Sequence, residues 1–93
     1  MKEIILKKMS KTLEETRPMK YQDLIMEGTI NEVLESNSQE IASQEQRIEE
    51  QLRIKYQKPD TDEFIALAQY ENMIRSLKME LIGNMIEEKV KAM

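Results

Sequence analysis

A chain of 93 residues, with 34% charged residues, 40% hydrophobic residues and net charge −4, has room for one domain and one modest core. It contains no Cys, His or Trp, which excludes disulfides, Cys/His zinc sites and histidine acid–base chemistry. The charge is uneven: residues 1–20 carry net +3, residues 21–52 carry net −7, and the remainder is balanced. An acidic middle has the wrong sign for non-specific binding to nucleic acid, and the basic start reads as a solvated helix face. With only two glycines, two prolines and few strand formers, the expected fold class is all-α.

Residues 2–16 read as a first helix. Ile5, Met9 and Leu13 recur every four residues with Leu6 beside them, while Lys7, Lys8 and Lys11 face away. The apolar run Ile4-Ile5-Leu6 is too short for a signal peptide or a membrane span. No membrane association is expected, and cytoplasmic residence is the default. Arg17-Pro18 ends the helix, because the residue before proline is pushed out of the helical region. Pro18 then suits the first turn of a second helix over residues 19–27, with Tyr21, Leu24 and Ile25 on one side. Gly28 follows as a left-handed C′ cap.

Thr29-Ile30-Asn31-Glu32 fits a capping box and restarts the chain as a third helix over residues 30–57. Its apolar seam is thin. Ile30, Leu34, Ile41, Ile48 and Leu52 fall within about 40° on a helical wheel. The third helix is therefore a rod that offers one seam to one partner. Residues 61–91 form the longest predicted helix, with Asp60 and Glu63 as its start signal. Its apolar residues, from Phe64 and Tyr70 through Ile74 to Met85, cover more than half the wheel. A surface helix needs an apolar stripe of only about 100°, so this one must be covered from at least two sides.

The short connection over residues 57–60 joins the third and fourth helices as antiparallel neighbours. The expected architecture is a single helical domain over residues 1–93: two short N-terminal helices followed by a long antiparallel α-hairpin. Part of the apolar arc stays uncovered within one chain. Tyr70, Met73, Leu77, Ile82 and Ile86 are the candidate hydrophobic interface, and a homodimer or another protein partner is expected to complete the bundle there. The eight methionines either fill core gaps or form an adaptable binding surface.

No residue pattern supports catalysis. Carboxylates lie on water-facing sides, poor places to build an acid–base pair. Glu63 and Glu71 fall inside the apolar arc and read as rim positions or as ion-pair partners of Lys78 or Arg75. There is no Gly-rich phosphate loop. The chain is read as a non-enzyme with no cofactor and no metal. Residues 21–34 have the outline of a helix-turn-helix, but the would-be recognition helix presents Glu32, Glu35 and Glu40, and no Arg or Lys before Arg47. Direct nucleic-acid binding is not expected. Glu32, Glu35, Glu40 and Glu50 form a candidate partner-binding acidic face, able to enter a basic nucleic-acid channel. An ordinary solvated face is the alternative.

One stretch carries a family resemblance. Leu13-Glu14-Glu15-x-Arg17-Pro18-x-x-Tyr21-x-x-Leu24-x-x-x-Gly28-x-Ile30-x-x-x-Leu34 resembles the core segment of the TnpV family, small proteins encoded on transposons and related mobile elements of Gram-positive bacteria. Gln69-Tyr70-Glu71-Asn72-Met73 and the segment to Ile86 are similar to that family's last helix. The match covers about residues 5–90 and lacks the strand-like N-terminal extension of the family. The resemblance implies a non-catalytic accessory of a mobile element. It transfers no catalytic residue. Arg17, Pro18, Tyr21 and Gly28 match the motif, and a structural role suffices for them. Two functional classes follow: an accessory of recombination or excision that acts beside DNA, and an inhibitor of a host nuclease or defence system, of the anti-CRISPR kind.

Overall fold

The computed structural model describes all 93 residues and contains helices and no strands. Five helices follow in order: α1 (Lys2–Thr16), α2 (Pro18–Glu27), α3 (Ile30–Ala42), α4 (Glu45–Lys55) and α5 (Phe64–Ala92). None is long and apolar enough to cross a membrane. The chain is elongated, 55 × 21 × 18 Å, because it has two parts. A body contains α1, α2, α3 and the C-terminal half of α5. An arm contains α4 and the N-terminal half of α5.

The punctuation of the N-terminal half acts where the sequence places it. Pro18 occupies the first turn of α2, where its missing N–H is one of the unpaired donors anyway. Gly28 takes φ 73°. From there Gly28 N–H donates to Ile25 O and Thr29 N–H to Leu24 O, the paired bonds of a Schellman cap. Two expected N-caps do not form. Neither Thr29 nor Asp60 makes a side-chain cap bond, and α5 starts at Phe64 with Glu63 as its flanking residue. Thr61 Oγ1 instead accepts the Glu63 N–H, a local side-chain turn just ahead of α5.

The expected single helix over residues 30–57 is broken at Ser43–Gln44. The cause is local. Ser43 Oγ donates to the Glu40 carbonyl at 2.7 Å. That carbonyl would accept the Gln44 N–H in a regular helix. The Gln44 N–H turns to Ile41 O instead, at 3.0 Å. Serine that back-bonds in this way bends helices. Replacing Ser43 with alanine should rejoin α3 and α4, with a gain of about 0.5 kcal/mol in helix propensity. Slower amide exchange at residues 44–46 and stronger helical circular dichroism would show it. Unchanged exchange would mean that tertiary packing, not Ser43, makes the break.

The break divides the hydrophobic core. In the body, Ile5, Met9 and Leu13 of α1 are fully buried, as their spacing predicts. They join Leu24, Leu34, Ile41, Ile82, Ile86 and Val90 in one cluster. In the arm, Leu52 of α4 packs on Tyr70 and Ile74 of α5 in a second, smaller cluster. The covered face of α5 therefore turns along its length. Tyr70 and Ile74 point one way, and Ile82, Ile86 and Val90 point about 140° away at 100° per residue. This turning accounts for part of the wide apolar arc, because successive partners cover successive faces, but Phe64 at the start of α5 is 81% exposed, contrary to the expected cover.

Ser38 of α3 is the one buried polar side chain, and its hydroxyl has no hydrogen-bond partner. A side chain this small leaves room for α3 to approach its neighbours.

Candidate protein-binding surfaces

The structure sorts the candidate interface residues by which neighbour reaches them first. Ile82 and Ile86 are 1% and 2% exposed, sealed in the body core against α1 and α3. Tyr70 is buried under α4, and its hydroxyl donates to Tyr56 O at 2.6 Å. These three do not form an open flank, contrary to the expectation from the wheel. Met73 is exposed at 38%, and Leu77 is half-buried. The residue that the wheel reading passed over is Leu81, 42% exposed. Met73, Leu77 and Leu81 sit at i, i+4 and i+8, so they line up along one side of α5.

That side is defined by its opposite. α4 runs antiparallel to α5, and its ion pairs fall on one edge of the arm. Lys78 Nζ reaches Glu45 at 3.0 Å and Glu49 at 3.2 Å. Arg53 makes a two-pronged bond to Glu71, 3.1 and 2.8 Å. Glu71 was expected beside Lys78 or Arg75, and α4 supplies the better-placed guanidinium. Burial alone would lower the Lys78 pKa, but its bonds to Glu45 and Glu49 outweigh this and hold it raised. The Arg53 bond holds Glu71 below its ordinary value of 4.5. The Glu71 contribution therefore weakens as pH falls below that value, and the Lys78 contribution weakens as pH rises past its ordinary 10.5. On the other edge of the arm, Ile48 of α4 and Leu77 of the ridge pack against the same small cluster. No ion pair crosses there.

The acidic face is partly neutralised. Glu35 pairs with Lys2 at 2.7 Å and Glu40 with Lys89 at 2.6 Å. Glu32 and Glu50 are exposed without a cationic partner, and Glu50 accepts a bond from Gln46. Glu32 lies on α3 and Glu50 on α4, so the break separates them. The four carboxylates do not make one dense patch.

The motif residues have structural employment. Arg17 Nη1 donates to Val90 O at 3.0 Å and to Lys91 O at 3.5 Å. It adds a donor to carbonyls of the last turn of α5, sharing Val90 O with the Met93 N–H, and places a cation at the negative end of that helix. The corner between α1 and α2 is thereby tied to the end of the chain. Tyr21 packs half-buried on the body core.

A second apolar surface lies on α2. Met19 and Met26 are 81% and 83% exposed, and Ile25 beside them is 44% exposed. Leu24 holds the inner face of the helix, so the two methionines point outward. Their spacing of seven residues already places them on one helical face opposite Leu24, a signal available from the sequence. No group of three or more Asp or Glu residues is arranged to hold a metal ion. Compared with protein-family models, curated proteins and solved structures, the chain matches none of them.

Proposed function

We propose that this chain is a non-catalytic, protein-binding accessory of a mobile genetic element, acting in the cytoplasm and resembling the TnpV family. The observation that carries the binding role is the outward pair Met19 and Met26 on α2, with Ile25 at its side. Two large apolar side chains held out in water cost solubility and add nothing to the fold. Methionine is flexible and polarisable, which suits an adaptable contact with another protein. The neighbouring Arg17, Pro18 and Gly28 hold this helix in place, so the motif of the resemblance serves to present its outer face.

The inhibitor reading, in which the acidic helix enters a basic channel, draws on exposed Glu32 and Glu50. It is the weaker reading, because Lys2 and Lys89 already answer Glu35 and Glu40. The DNA-binding accessory is weaker still. Its basic residues Lys7, Lys8 and Lys11 are followed within one turn by Glu14 and Glu15.

Affinity capture from a host cell with wild type and with Met19→Lys/Met26→Lys tests the reading. Both side chains are solvent-exposed, so the double variant should keep its helical spectrum and melting temperature. Loss of the captured partner is the expected result. A partner retained in full by the double variant but lost with Glu32→Gln/Glu50→Gln would move the site to the acidic face. Binding to free DNA that weakens steeply with salt would favour the DNA-binding class.

A further inference from the structure

We propose that the ridge of Met73, Leu77 and Leu81 is the seat of a second copy of this chain, with the two arms antiparallel about a two-fold axis at Leu77. The inference deepens the binding-protein reading but rests on a different surface from α2. Its first support is the division of labour across the arm. One edge is closed by Lys78–Glu45, Lys78–Glu49 and Arg53–Glu71. The other edge has the apolar ridge with half-buried Ile48; Gln44, Gln51 and Asn84 are exposed beside it, and exposed Glu80 sits at its outer margin next to Met73 by helical angle. In a chain with 34% charged residues, an uncharged apolar centre with its charges at the margin has the anatomy of an interface core and rim.

The second support is self-complementarity. A two-fold interface must present the same patch to itself, so a strip dominated by one sign of charge would repel its copy. Met73 and Leu81 lie four residues either side of Leu77. An antiparallel two-fold at Leu77 therefore sets Met73 of each copy against Leu81 of the other.

The third support is charge placement at the ends of the strip. The Arg53–Glu71 pair fixes the register of α4 on α5, which puts Lys55 level with about residue 69 of α5. Rotation about Leu77 carries that lysine to about residue 85 of the other copy. Glu88 is exposed there, on the same side of α5 as the ridge by helical angle. Lys55 is likewise exposed. Two symmetric Lys55–Glu88 pairs would flank the apolar centre. A parallel pairing of the arms leaves both residues without an opposite charge.

The chain has no cysteine, which makes the geometry directly testable. Sedimentation at micromolar concentration should give twice the 11.0 kDa chain mass. Leu77→Cys should then oxidise to a disulfide-linked dimer in high yield. Met73→Cys alone should not, whereas Met73→Cys/Leu81→Cys should. Leu81→Lys should shift the mass to 11.0 kDa with its helical spectrum intact. Lys55→Glu should weaken the dimer about tenfold, and Lys55→Glu/Glu88→Lys should restore it. A monomer in wild type at 100 μM overturns the proposal. So does a dimer that cross-links through Met19→Cys and not through Leu77→Cys. Neither result touches the α2 reading, which is judged by partner capture alone.

Discussion

Replacing Leu13 with alanine should cost the body about 3 kcal/mol, within the range for emptying a buried leucine site. Leu13 is fully buried. It belongs to the cluster that joins α1 to α3 and to the C-terminal half of α5, so no single neighbour can move in to fill the gap. A domain of this size has only about 5–14 kcal/mol to lose. The melting temperature should fall by about 15 °C. Urea denaturation at fixed protein concentration measures the loss, with Glu14→Ala, one residue along on the exposed side, as a control that should change little. A loss below about 1 kcal/mol would mean that α1 is not sealed in the body.

Ile74→Ala should have a similar nominal cost, about 3 kcal/mol, but a different reach. Ile74 is 1% exposed and belongs to the arm cluster, which has only two other buried members, Leu52 and Tyr70. A cluster that small has little reserve. The arm should open locally while the body stays closed, as happens when regions of one chain differ in contact density. Amide exchange reads this directly. Residues 46–55 and 65–76 should lose protection in the variant, while residues 5–13 keep theirs. Equal loss in both regions would show one cooperative unit. The same variant should also weaken self-association, because Ile74 supports the helix that presents the ridge.

These two variants separate what was legible in the residues from what was not. The four-residue spacing of Ile5, Met9 and Leu13 marked the buried face of α1 without any structure, because a single face against a single core leaves a simple period. Pro18 and Gly28 were legible for the same kind of reason. Each imposes a backbone geometry that depends on nothing distant. The break at Ser43–Gln44 was harder to see. There the Glu40 carbonyl accepts Ser43 Oγ and the Gln44 N–H turns to Ile41 O, while helical periodicity runs straight through. Arg17 belongs to the sequence motif, yet its contact is with Val90, 73 residues away.

The residue pattern alone was enough to show that this protein is helical, where its first two helices stop, and that its last helix carries an apolar arc too wide for one neighbour to cover. Which neighbours cover it, and where, emerges only from the packing of the helices. Tyr70, Ile82 and Ile86 looked alike on the wheel as candidates for an open flank. α4 covers Tyr70, and the body core closes over Ile82 and Ile86. Met73 and Leu81 remain open on the side away from the arm's ion pairs. The physical reason is that a hydrophobic pattern reports how much surface must leave water, since burial is non-directional. It carries no record of which neighbour supplies the cover, and in α5 that neighbour changes halfway along the helix.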